Sequence, residues 1–181
     1  MTVKFSPLFK KKRGGYTVRK LLYLIPLILI IVSGCSKTDT AEGLLNHAQS
    51  SIDEREYSKA ITLLRDLIKT YPQAAETPHA QYQLGDIYMA HTKDFDQAII
   101  EYQKVVESYP SSKVAMNAQF MVGYIYANYL NDLNAAKLEY EKFIELYSGK
   151  ADEGLLQSVE FELKYLGKNI NEIPELENIS S

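Results

Sequence analysis

The 181-residue chain has one cysteine, no tryptophan, three histidines and no acidic residue before Asp39. A lone cysteine excludes an intramolecular disulfide and removes the thiolate clusters that zinc or iron–sulfur sites require. His47, His79 and His91 are never four residues apart, and no His-Glu-x-x-His pattern occurs; a helical metal site is therefore not expected. Nor is there a phosphate-cradling glycine loop, a nucleophile elbow or a carboxylate pair at a motif spacing, so the sequence predicts no catalytic residue, no cofactor and no small-molecule substrate.

The missing acids at the start expose a division in the chain. Lys4, Lys10, Lys11, Lys12, Arg13, Arg19 and Lys20 precede position 35; removing these seven from the 20 bases leaves 13 against 23 acids, a net charge of −10 for the remainder. Phosphate binding needs a positive footprint, which argues against a nucleic-acid partner. The basic segment leads into an apolar run from Leu21 to Val32, interrupted by Pro26, and then into Ser33-Gly34-Cys35. At about 1.5 Å per residue these twelve residues would rise about 18 Å, short of a hydrocarbon core of about 30 Å. The order basic, apolar, small is that of an export signal.

Val32-Ser33-Gly34-Cys35 resembles the lipobox of bacterial lipoproteins. That resemblance implies cleavage between Gly34 and Cys35, a diacylglyceryl thioether on Cys35 and acylation of the new amino terminus; several buried chains would anchor the protein stably to a membrane. The alternative is an ordinary signal peptide with a free or buried cysteine. Ser36 follows Cys35 where an inner-membrane retention signal has Asp, which implies the outer membrane in a Gram-negative cell, or the cell membrane in a Gram-positive one. Residues 1–34 are thus expected to be a signal peptide and 35–40 a lipidated tether. The five residues after Cys35 span at most about 18 Å, placing the remainder of the chain near the membrane surface.

From about residue 41 the chain repeats every 38 residues. Ala60, Ala98 and Ala136 share a phase, as do Tyr71, Tyr109 and Tyr147; Leu64, Tyr102 and Tyr140; Gly85 and Gly123; Gln81 and Gln119; and Tyr88 and Tyr126. Apolar residues within each unit fall at helical spacing, with no competing strand pattern. The pattern predicts helices over 41–53, 58–71, 78–91, 96–109, 113–129 and 134–147, with a seventh near 151–166 continuing the phase loosely, as a terminal cap does. Ser58, Asp96 and Asn134 are expected to cap the second helices, with Tyr57, Phe95 and Leu133 as staples whose partners in the last two units would be Ile100 and Leu138. Thr77-Pro78 reads as a cap followed by Pro at the first helical position, and Pro72 and Pro110 mark helix ends. His47 stands where the next two units have glycine, so the first helix is expected to pack imperfectly.

This all-α pattern of about three helical hairpins resembles the tetratricopeptide repeat over about 110 residues, within a repeat domain of 41–166 and before a tail of 167–181. Gly85 and Gly123, Tyr88 and Tyr126, the three alanines and the two prolines stand at the family's characteristic places. The unit is longer than the usual ~34 residues, and the extra length falls in turns. The resemblance implies a groove lined by first helices, carrying His79, Tyr82, Asp86 and Met89 in one unit and Asn117, Phe120, Tyr124 and Asn128 in the next. Aromatic residues there would anchor a partner; alternatively, Tyr82, Phe120 and Tyr124 pack against neighbouring repeats or the final helix. With the lipobox, the sequence is similar to the BamD family of outer-membrane lipoproteins, which implies barrel-assembly components as partners. That family usually has about five repeats, more than are found here. The repeats also resemble the Tol-Pal-associated cell-division coordinator, and a pilotin-like role toward a secretin or pilus is a third possibility.

Overall fold

The computed structural model describes residues 39–169 together with 172 and 173; the lipobox and its expected cleavage site at Gly34 and Cys35 lie outside the described residues. Among the described residues seven α-helices follow one another: α1 (Ala41–Asp53), α2 (Tyr57–Thr70), α3 (Thr77–Ile87), α4 (Phe95–Ser108), α5 (Lys113–Asn128), α6 (Leu133–Tyr147) and α7 (Glu153–Tyr165), with a wide π-helical turn over Tyr88–Thr92 extending α3. Each helix packs against the next, so the odd-numbered and even-numbered helices form three hairpins and α7 closes the series on α6. Among the described residues no helix is long and apolar enough to cross a membrane.

The packing follows the 38-residue phase. Ala60, Ala98 and Ala136 are fully buried, as are Leu64, Tyr102 and Tyr140 on the same helices. Gly85 and Gly123 lie directly against the two tyrosine rings: a Cβ on Gly85 would come 2.5 Å from Tyr102 Cε1, and one on Gly123 2.6 Å from Tyr140 Cε1. Such separations are well inside the ordinary contact distance for carbon, so only glycine lets these helices cross. One apolar cluster, including Ala48, Ala60, Leu64 and Leu84, fills the first hairpin and its junction with the second. A larger one, from Ala98 to Val159, runs through the rest.

The first unit corrects the expectation at His47. His47 is exposed, whereas Ala48 is fully buried. The turns explain the slip. Glu56 N–H donates to the Ser51 carbonyl at 2.7 Å, five residues back, whereas Asp94 donates to Tyr88 and Asp132 to Tyr126, each at 2.9 Å and six residues back. The first hairpin is therefore one residue shorter before its turn, and Ala48 takes the place of Gly85 and Gly123. In the same buried cluster Leu64 holds the place that Tyr102 and Tyr140 hold later, so Ala with Leu replaces Gly with Tyr at similar total volume. The first helix is in phase once this residue is counted.

The expected caps also fall elsewhere. The second helices start one residue early and their caps lie two residues early, with Glu56, Asp94 and Asp132 at the N-cap. Asp94 accepts from Gln97 N–H at 3.1 Å and Asp132 from Ala135 N–H at 3.0 Å; Glu56 makes no such bond. Tyr57, Phe95 and Leu133 then occupy the first helical turn, and the proposed staple partners Ile100 and Leu138 are 44% and 65% exposed, so no staple forms. Arg55, Lys93 and Asn131 precede the caps at φ of 62°, 54° and 53°, a left-handed turn in each unit built without glycine. Thr77 is likewise inside its helix: its buried hydroxyl donates to the Tyr71 carbonyl, tying α3 to the preceding turn. The helix stops at Pro72 and Pro110 stand as expected, since α2 ends at Thr70 and α4 at Ser108. The last helix starts at Glu153 with Asp152 as its cap, accepting from Leu155 N–H at 2.9 Å.

If the Gly123–Tyr140 contact sets the crossing of α5 and α6, Gly123→Ala should lose about 1–3 kcal/mol of stability. The loss should shrink by at least about 0.5 kcal/mol in a Tyr140→Leu background, where the ring is gone. Urea unfolding of the two single variants and the double variant measures this coupling, and additive effects would contradict it.

Candidate functional site

The phase that buries Gly85 against Tyr102 turns the next residue, Asp86, onto the opposite edge of that contact. Tyr102 donates its hydroxyl to Asp86 Oδ1 at 2.6 Å, and the Tyr82 ring lies 5.1 Å from the Tyr102 ring. Burial pushes the Asp86 carboxyl above its ordinary value, opposed by the Tyr102 hydrogen bond and by the field of His91. Burial, with the Asp86 charge behind it, pushes Tyr82 up to about 12. The carboxylate is thus held at the margin of the core by one hydroxyl, without a lysine or arginine in an ion pair with it among the described residues.

One unit on, the geometry repeats with a change of chemistry. Phe120 replaces Tyr82, with its ring 5.9 Å from Tyr140 and 6.0 Å from Tyr124. Tyr124 replaces Asp86, so the carboxylate that Tyr102 meets has no counterpart here, and among the described residues the buried Tyr140 hydroxyl has no hydrogen-bond partner. Burial raises the Tyr140 pKa, followed by the charge of Glu162 on α7 and then by Tyr124. Glu162 is itself half-buried, and burial raises its carboxyl above the ordinary range.

The two groups of predicted face residues are brought together because α3 touches α5 directly. His79, Asn117 and Asn128 are exposed; Tyr82, Asp86, Met89, Phe120 and Tyr124 are half-buried. Tyr82, Met89 and Phe120 also pack against the larger core, so these side chains form the floor of the face as well as its surface. Tyr124 instead reaches Tyr129, whose ring is 6.0 Å away edge-on and which is stacked in turn on Phe95 at 4.6 Å. Asn128 donates its amide to the Tyr124 carbonyl at 3.1 Å. The histidines lie apart: His47 is 3.6 Å from Asp39, and His91 stacks on Tyr57 at 3.9 Å. Among the described residues no three His, Cys, Asp or Glu side chains are grouped to hold a metal.

Sequence reasoning passed over the buried polar links between paired helices. Glu101, 3% exposed, accepts from the Gln81 amide, from Gln97 at 2.6 Å and from Lys104 at 3.0 Å. Glu139 accepts from Gln119 at 2.7 Å and lies 3.7 Å from Lys142. Both glutamates and both lysines keep the 38-residue phase, a signal that was present; in the first unit Leu44 and Leu63 pack apolar in that region instead. Glu162 offered no such signal, because the phase loosens in α7.

A family profile described as tetratricopeptide repeat matches residues 42–74, 79–112 and 117–149, more than half of the chain. The chain belongs to the tetratricopeptide-repeat family. The matched segments start 37 and then 38 residues apart, in keeping with the shorter first hairpin. Among solved structures the chain is similar to the N-terminal domain of stress-induced protein-1 (STI-1) from C. elegans, with a TM-score of 0.57 and 19% identity over 71% of this chain and 98% of that one. At that identity the likeness shows the fold alone. A comparison with curated proteins gives no match. Tetratricopeptide arrays are protein–protein interaction scaffolds.

Because Asp86 is raised when folded, the folded state holds its proton more tightly than the unfolded state does. Its favourable contribution is present in acid and is lost as pH rises through the raised value. Asp86→Asn cannot ionise and keeps an oxygen for Tyr102. It should therefore unfold at a higher temperature than the parent at neutral pH, and the difference should vanish below the ordinary value of 3.8. Thermal unfolding followed by circular dichroism across pH checks this; a variant less stable at neutral pH would show that the ionised carboxylate stabilises the fold.

Proposed function

We propose that the protein is a lipid-anchored scaffold of the bacterial envelope that holds a protein partner on the α3–α5 face, in the assembly of outer-membrane proteins. The observation that carries the reading is the junction of two features: a lipobox-like Val32-Ser33-Gly34-Cys35 and, after the short tether, a tetratricopeptide array whose first helix begins at Ala41. An acyl anchor confines the array to the membrane surface, which raises the encounter rate with envelope partners there and leaves the affinity to the face itself.

The face suits a peptide segment. Half-buried aromatic rings held by the core lose little entropy when a partner covers them, which is why such residues dominate binding energy at interfaces. Asp86, Asn117 and His79 around them provide polar groups that orient a backbone. The similarity to the BamD family supports barrel assembly as the process. Three hairpins instead of about five give a shorter face, in keeping with one contact segment rather than an extended platform. Barrel-assembly subunits, Tol-Pal components and a secretin are the partners to be told apart.

One experiment tests both halves. A photo-crosslinking residue at Asn117 would be introduced into the parent, Cys35→Ser, and Tyr82→Ala/Tyr124→Ala, and envelope fractions would be analysed by mass spectrometry. The parent is expected to partition with the outer membrane and crosslink a barrel-assembly subunit. Cys35→Ser should be lost from the membrane. The double alanine variant should keep its helicity and bind at least about tenfold more weakly, a loss of about 1.4 kcal/mol. Membrane retention of a correctly cleaved serine variant, or undiminished crosslinking by the double variant, would contradict the anchor or the face respectively, and a Tol-Pal or secretin component in the crosslink would reassign the process.

A further inference from the structure

The acids that this fold covers wholly or in part are treated differently, and Asp86 has the Tyr102 hydroxyl in place of a cation. Glu101 and Glu139, between paired helices, each have a lysine within 4 Å, Lys104 at 3.0 Å and Lys142 at 3.7 Å. Glu162 is half-buried on α7 and is in no ion pair among the described residues. It lines a cavity of about 460 Å³ where α7 meets the end of α5, with Asn128, Leu133, Phe161, Tyr165 and Leu166. Lys168 also borders the cavity, and the ammonium groups of Lys164 and Lys168 lie over the Tyr165 ring, 4.8 and 5.4 Å from its centre. An acid in such surroundings is destabilised as a charge unless a cation arrives.

A second observation points to the same place. The Tyr140 side chain is fully buried, its hydroxyl has no partner, and it lies within electrostatic reach of Glu162 and Tyr124. Its counterpart Tyr102 donates to a carboxylate, Asp86, at 2.6 Å. Tyr140 thus lacks an acceptor among the described residues and feels the charge of an acid that lacks a cation. Buried polar groups without partners are few in folded proteins and call for a reason.

We propose that this cavity receives a lysine or arginine side chain of the protein segment bound on the α3–α5 face, with its cation pairing with Glu162. The inference rests on the binding role proposed above and names the chemistry of its partner. The cavity fits such a guest: its apolar wall of Leu133, Phe161 and Leu166 covers a methylene stem, while the Glu162 carboxylate meets the charged head. The guest's charge keeps Glu162 ionised, and a shift of that carboxylate toward Tyr140 on binding would give the hydroxyl its acceptor. The charge of −10 carried after residue 34 favours the approach of a basic segment from a distance.

The test uses the full chain, isotope-labelled, in a nonionic detergent, titrated with butylguanidinium or with the neutral isostere butylurea and followed by amide NMR. Butylguanidinium should give saturable shifts centred on Asn128, Phe161, Glu162 and Tyr165, and butylurea should bind at least about fivefold more weakly, as the loss of about 1 kcal/mol of ion pairing implies. Glu162→Gln should weaken guanidinium binding about as much, whereas Glu145→Gln, an exposed acid on α6, should not change it. Tyr140→Phe should bind about threefold more weakly while unfolding at no lower a temperature than the parent. Equal binding of the two probes, unchanged binding by Glu162→Gln, or shifts spread evenly over exposed carboxylates would overturn the proposal. Saturable guanidinium binding in a protein that crosslinks no envelope partner would support this site and remove only the envelope role; normal crosslinking with a silent cavity would do the reverse.

Discussion

Each hairpin depends on one contact, a small residue on its first helix lying against a large one on its second. Gly85 under Tyr102 and Gly123 under Tyr140 bring helix backbones so close that a single methyl group would enter the ring. That approach buries the alanines at 60, 98 and 136, aligns the glutamine–glutamate links of the second and third units, and turns Asp86 and Tyr124 half out of the core. Moving the contact by one residue on a helix would rotate everything after it by about 100°, so the whole array is sensitive to it.

Much of this was legible in the sequence because the constraint is periodic. Glycine, alanine and tyrosine recurring at 38 residues located the helices to within a residue or two and identified the repeat. The errors arose where periodicity was taken to be uniform. A fixed 38-residue step placed His47 beside the glycines, but the first hairpin is one residue shorter before its turn, and Ala48 and Leu64 fill the space that Gly and Tyr fill elsewhere. The caps were misplaced for a related reason. Ser58, Asp96 and Asn134 are good capping types, but Asp94 and Asp132, two residues earlier, are equally good. What decides between them is the left-handed turn at Lys93 and Asn131, which neither residue type announces.

The face residues were legible as a set, because helical phase fixes which side chains share a side. Their partners were not. Tyr102 and Tyr140 looked alike in sequence; only packing shows that one donates to Asp86 while the other, facing Tyr124, has nothing on its own hairpin to donate to. Glu162 lies in the closing helix, where the phase has loosened, and its place near Tyr140 is a tertiary fact. The division of labour is consistent across the molecule: the repeated positions build the hairpins, and the departures from the repeat give the face its chemistry.

The central claim is that the small-against-large contact in the first unit belongs to Ala48 and not to His47, and the two residues are adjacent enough for a direct comparison. Thermal unfolding of Ala48→Trp and His47→Trp measures it. The account predicts that the exposed His47 accepts tryptophan with a change of less than about 0.5 kcal/mol, as surface substitutions do, while Ala48→Trp loses at least about 1–3 kcal/mol through overpacking against Leu64. Equal effects, or a larger loss at His47, would contradict the shorter first hairpin and the packing scheme built on it.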